Sequence, residues 1–269
     1  MTGFAADWLE LREPFDRRAR NRSVRDAVVA SLQGASQLRI VDLGCGTGAM
    51  LRELAPRLVA RQTWRLVDND LDLMGRLAGG VGVSSRVTVT AMPLDLSRDL
   101  GAPLDGALDL VVASALLDLV SAAWLERLAV ELAARALPFY GALSYDGRAA
   151  FEPADPLDAA IVNAFNTHQR TDKGFGPALG PDAAAAARAR FSSLGYAVLD
   201  GPSDWVVACD DADMQLALLE GFAGAAQAAG VPTADAMAWH GRRRDLVVAG
   251  RSTMRVGHVD FWARQIAVR

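Results

Sequence analysis

Asp42, Gly44, Gly46 and Gly48 stand at alternate positions in the string VDLGCGTGAM, residues 41–50. Glycine tolerates φ > 0 and lets the main chain touch a ligand that a Cβ would hold away. A helix starting at such a turn leaves free N–H donors at its N-terminus. The acid two residues before the first glycine changes what those donors can serve: it repels a pyrophosphate and suits a ligand bearing an ammonium group. Gly44-x-Gly46-x-x-Ala49 also satisfies the looser dinucleotide fingerprint, so a nicotinamide or flavin nucleotide is the competing ligand. A second acid, Asp68, follows Gly44 by about 24 residues and is trailed by Asn69, Asp70 and Asp72; one carboxylate there can accept from both hydroxyls of a ribose. The polar, glycine-punctuated stretch 168–177 holds His168, Arg170 and Lys173. Packing needs do not explain that mixture, and His168 is a candidate base because imidazole titrates near neutrality.

These residues need a scaffold. Short apolar or β-branched runs predict strands over 37–41, 62–68, 86–90, 109–116 and 139–145, and the near-continuous apolar run at 109–116 suits a buried parallel strand. Helical spacing recurs at 50–55, 73–77, 122–137, 155–168 and 181–194. Residues 5–33 read as helical with a break at Pro14. Near the end, 196–200 and 205–208 read as an interrupted sixth strand. Two helices follow at 211–229 and 233–248, then a last alternating strand at 253–263. Strands alternating with helices predict a parallel sheet with ligands at the carboxyl ends of its strands.

At this point the chain resembles the class I, seven-stranded, Rossmann-like methyltransferases that use S-adenosylmethionine (SAM), whose first motif is (D/E)xGxGxG. VDLGCGTG matches it in full, and acids at three successive strand ends strengthen the likeness. The resemblance implies an α/β, doubly wound, mostly parallel seven-stranded sheet with a C-terminal antiparallel strand, an N-terminal helical arm and a helical insertion before the last strand. It implies one SAM-dependent methyltransferase domain over 1–269, with the arm at 1–36, a SAM-binding half at 37–150, and an acceptor-side half at 151–269 carrying the insertion at about 210–250. It assigns to the cofactor Asp42, Gly44, Cys45, Gly46, Thr47, Gly48, Asp68, Asn69, Asp95, Leu96 and Ser114. Asp95 takes the place of the acid that binds the adenine amino group. Family members close the site with an N-terminal arm, and Arg12 or Arg20 from the charge-dense stretch 11–20 suits the SAM carboxylate; Arg12 is the first choice. Asp118, after the fourth strand, and Tyr145, after the fifth, join His168 as catalytic candidates, and Asn166, Arg170 and Lys173 as acceptor contacts.

Composition narrows the partners. The net charge is −4 with signs interspersed, which disfavours a nucleic-acid footprint. Neither the (D/N/S)PP(Y/F/W) string of amino-DNA enzymes nor the Pro-Cys of cytosine C5 enzymes follows the fourth strand, so DNA is not expected as acceptor. No apolar run reaches the ~18 residues of a membrane span, and the N-terminus lacks a signal-peptide pattern, so a cytoplasmic location is expected. Two cysteines make no disulfide framework and three histidines have no ligand spacing, so no metal is expected. D-N-D-L-D lacks the glycine and glutamate of a calcium loop. Arg242-Arg243-Arg244 reads as a solvated charge run. The expected partner is a small-molecule acceptor, bound by a monomer or homodimer. The alternatives are an NAD-dependent oxidoreductase and a SAM-binding module without catalysis, with RNA or protein acceptors less favoured.

Overall fold

A computed structural model describes residues 5–80 and 85–266. β1 (Gln37–Leu43), β2 (Arg61–Asp68), β3 (Val87–Pro93), β4 (Leu110–Ser114) and β5 (Phe139–Glu152) form the parallel part of one sheet, in the order β3-β2-β1-β4-β5. β8 (Thr253–Gln265) lies antiparallel beside β5. Its far edge pairs with β6 (Tyr196–Pro202) along one stretch and with β7 (Trp205–Val207) along another. The parallel ladders and the antiparallel return of the last strand are as expected from the sequence. The sixth strand is instead two separate strands, β6 and β7.

Helices cover both faces. α2 (Arg22–Ser31), α3 (Ala49–Leu54) and α4 (Leu71–Gly80) lie on one, where Val24, Val28, Met50, Leu54 and Trp64 are buried. α5 (Ala122–Ala134) and α7 (Ala183–Ser193) lie on the other, around Trp124, Leu128, Phe139 and Phe191. β1 and β4 are buried on both faces, as parallel central strands must be. A third apolar cluster forms where β5 and β8 outrun the parallel sheet. It joins α1 (Ala6–Ala19), α6 (Asp158–Gln169), α8 (Ala212–Ala228) and α9 (Thr233–Val248) through Phe15, Phe151, Ile161, Phe222 and Trp239. Among the described residues no helix is long and apolar enough to cross a membrane.

Two expectations are corrected. Pro14 does not break the N-terminal helix: α1 runs through it, and the chain turns only at Arg20 and Asn21, where Asn21 caps α2 by accepting from the Val24 N–H. The arginine run is solvated only in part. Arg243 is wholly buried and pairs with Asp158 and the Pro153 carbonyl, and Trp239 donates to the same carboxylate. Arg242 and Arg244 are exposed as expected, Arg242 binding Asp155 with two bonds, so Arg243 alone departs from the solvated reading. The arginines tie the inserted helix α9 to the start of α6.

Candidate functional site

The glycine turn hangs from the end of β2. The Gly44 and Cys45 N–H groups both donate to the Val67 carbonyl, at 2.9 and 3.0 Å. Gly44, Gly46 and Gly48 have φ of 68°, 52° and 83°, the left-handed region that costs a side-chain-bearing residue about 1–2 kcal/mol. A Cβ on Gly48 would also lie 2.9 Å from Leu77 Cδ2, so tight packing as well as dihedral selects glycine there. Asp68, one residue past Val67, accepts from the Gly46 N–H at 2.8 Å and from the Asp70 N–H at 3.0 Å.

Asp42 is the anomaly of the site. Its side chain is buried, and neither oxygen has a hydrogen-bond partner. Burial pushes its pKa up to about 8; Arg20 opposes the rise and Asp68 adds to it. Arg20 is equally buried. It donates from Nη2 to Ser114 Oγ at 3.0 Å, while Nε and Nη1 have no partner. Burial works against its charge, but Tyr140, Asp260, Asp16 and Glu53 together hold its pKa above the usual value. A carboxylate with no donor and a guanidinium with free donors therefore share one buried region beside a bare backbone turn. Orphaned buried polar groups cost free energy that a ligand can recover. The pair matches a zwitterionic α-amino acid group, ammonium to Asp42 and carboxylate to Arg20, and SAM carries one.

α1 lies across this turn. The Leu9 side chain comes within 3.3 Å of where a Gly46 Cβ would stand. Glu13 pairs with Arg52, which also donates to the Thr47 carbonyl and hydroxyl. Burial would raise Glu13, but Arg52 outweighs it and keeps the carboxyl below its ordinary value. Arg12, the first choice for the carboxylate, instead pairs with Asp16 at 3.0 Å and lies over the Trp205 ring.

The other expected residues divide. Asp95 is engaged in its own loop by the Ser97 N–H and hydroxyl and by Arg98, which hold its carboxyl low. Leu96 is buried in the core beneath α5, its carbonyl accepting from Trp124 Nε1. Asn69 is exposed, and Cys45 is buried with its thiol pushed far up by burial and by Asp42 and Asp68, so it is no nucleophile.

On the acceptor side, Tyr145 donates to Asn166 Oδ1 at 2.8 Å, and Asn166 donates to the Gly147 carbonyl. Asp118 Oδ1 is buried without a partner. Burial lifts its pKa to about 6, against Arg12 and the Tyr145 main-chain N–H. Tyr145, raised by burial and the nearby acids, keeps its proton. Asp118, Tyr145, Asn166 and Arg12 thus gather at one place. His168, near the end of α6, accepts from Thr171 and Lys173 at its main-chain carbonyl, and burial and Lys173 lower its pKa. Arg170 pairs with Asp182 and also donates to the Asn166 carbonyl at 3.1 Å, close enough for its charge to act on Tyr145; Lys173 bonds the His168 carbonyl and Thr171. Nothing in the spacing of the residues pointed to His258 as part of a site. It lies buried between Tyr145 and Trp205, and burial and Arg12 keep it neutral with a pKa near 3.

No family model matches the chain, and no curated protein does. Solved structures do. The mycolic acid cyclopropane synthase CmaA1, solved with S-adenosylhomocysteine (SAH) and CTAB, superposes with a TM-score of 0.51 at 12% identity, over 90% of this chain and 83% of that one. The cyclopropane synthase MmaA2 from Mycobacterium tuberculosis gives 0.50 at 9% identity over the same shares. The YcgJ protein from Bacillus subtilis gives 0.50 at 14%, over 92% and 100%. The chain shares the fold of these proteins, as the resemblance led one to expect. At these identities the likeness carries the fold, and the residues above carry the chemistry.

Proposed function

We propose that the chain transfers a methyl group from SAM to an oxygen or nitrogen nucleophile of a small-molecule acceptor. The observation that carries this is the orphaned pair Asp42 and Arg20 beside the glycine turn. When bound, SAM supplies a methyl group already activated by its sulfonium, so the protein's task is mainly alignment and exclusion of water. Asp42 would hold the ammonium, Arg20 and Ser114 the carboxylate, Asp68 the ribose hydroxyls, and the loop at Asp95 the adenine edge. Orientation of reactants contributes up to ~7–11 kcal/mol to such a reaction. Asp118 is the base best placed to take the acceptor's proton, since a carboxyl titrating near 6 is basic enough to accept one at neutral pH. That step adds about 10²- to 10⁴-fold. We read residues 1–269 as one such domain, working in the cytoplasm as a monomer or homodimer.

The test is incubation of the protein with methyl-labelled SAM and a small-metabolite extract. Label is expected in a new small product, and Asp118→Asn is expected to slow its formation at least ~100-fold while SAH still binds. Label confined to SAM, or transferred only to protein or RNA, would contradict the reading.

A further inference from the structure

One buried carboxylate fixes the corner between α1 and α2. Asp260, in β8, is wholly buried. Its Oδ2 accepts from the Asn21 main-chain N–H at 3.0 Å and from the Tyr140 hydroxyl at 3.1 Å, and its Oδ1 accepts from the Leu143 N–H at 2.8 Å. The three donors come from the helix corner and from two places on β5. One is Leu143, which adopts a left-handed φ of 53° in the stretch where β5 slips register against β8 between Gly141 and Ser144. Two carboxylate oxygens serve three donors. A neutral amide has one oxygen and would turn its NH₂ group on at least one of them.

Arg20 immediately precedes Asn21, so whatever holds the Asn21 N–H also holds the start of the arginine side chain. The guanidinium lies beside the Tyr140 hydroxyl, and its charge is supported by Asp260 from a distance. Among the described residues no carboxylate pairs directly with it, and Nε and Nη1 remain free. A planar fork with adjacent free donors is a carboxylate receptor. We propose that Asp260 is a positioning residue that aims this fork. It thereby makes the site select adenosyl thioethers that keep an α-amino acid end over those that lack it. The proposal rests on the glycine turn being an adenosyl site.

Calorimetric titration of the full chain with SAH and with 5′-methylthioadenosine tests it, because the two share the adenosyl thioether and differ in the amino acid end. Wild type is expected to bind SAH at least ~10-fold more tightly, in line with charged hydrogen bonds to Asp42 and Arg20. Asp260→Asn is expected to lose about 10-fold for SAH with methylthioadenosine affinity unchanged. Tyr140→Phe removes one of the three donors and is expected to lose less, again for SAH alone. A merely structural role would weaken both ligands together, and that result, or unchanged SAH affinity, overturns the proposal. If Asp260→Asn does not fold, Tyr140→Phe decides, and an unaltered ratio of the two affinities overturns it. Wild type binding both ligands equally would leave the adenosyl reading standing and the proposal refuted. Wild type binding neither would remove both.

Discussion

A carboxylate held away from water with no donor favours its protonated form, and Asp42 does so up to a pH of about 8. Its unfolded reference is 3.8, so between 3.8 and about 8 the folded chain binds more protons than the unfolded one. Stability of the ligand-free protein is therefore expected to fall as pH rises through that window, which thermal unfolding at pH 5 and pH 9 would register; a wild type more stable at pH 9 through this group would contradict it. Asp68 is different, since its two oxygens already hold the Gly46 and Asp70 N–H groups. Asp68→Ala is expected to lower SAH affinity by ~10-fold or more, and equal affinities by calorimetry would remove it from the site. The motif acids were readable from spacing alone. Which of Arg12 and Arg20 lies beside Ser114 was not. With a break assumed at Pro14, the phase relating Arg12 to Arg20 is undefined; with α1 continuous, Arg12 meets Asp16 and Arg20 turns inward at the helix end.

Among the elements, the turn from β1 to α3 and the helix α1 above it decide whether a ligand can reach Asp42. Gly48→Ala would place a Cβ against Leu77 at a left-handed φ, and is expected to cost about 1–3 kcal/mol in urea unfolding; a loss under a few tenths would show that the turn relaxes. The void beside Arg20, lined by Glu13, Asp16 and Glu53, measures about 10 Å³, room for one water at most. Leu9 of α1 stands over Gly46, so α1 is expected to shift when a ligand enters. Its outer half is held by Glu13–Arg52 and by the exposed pairs of Arg76 with Asp7 and Glu10. Glu13→Gln is expected to speed SAH association in stopped flow, and an unchanged rate would mean that this pair does not limit entry. The strands were legible because parallel strands are short apolar runs. The interruption of the sixth strand was legible as well, but that its two pieces are separate strands, each paired with β8, was not.

At the scale of the whole molecule, the chain adds a third apolar cluster, built on α1, α6, α8 and α9, to a common sheet. α8 and α9 were legible as helices from their periodicity, but their attachment was hidden. A run of three arginines reads as solvated until its partners are known, and Asp155 and Asp158 lie far away in sequence. Arg243→Ala leaves Asp158, half-buried against Trp239, without its cation, and is expected to destabilise by about 1–3 kcal/mol in urea unfolding; a change below ~0.5 kcal/mol would show the network to be dispensable. Asp118, Tyr145 and Asn166 converge only because β4 and β5 end together and α6 folds back on them, which no single segment announces.

The central claim is that Asp42 meets the ammonium end of an adenosyl amino acid, and one titration reaches it directly. SAH is titrated into wild type and Asp42→Ala at pH 7, in two buffers of different ionisation enthalpy. Wild type is expected to bind with release of on the order of one proton, because the ligand's charge ionises a carboxyl that is protonated beforehand; Asp42→Ala is expected to bind far more weakly and release none. Equal affinity in the two proteins, or binding without proton release in wild type, would contradict the account.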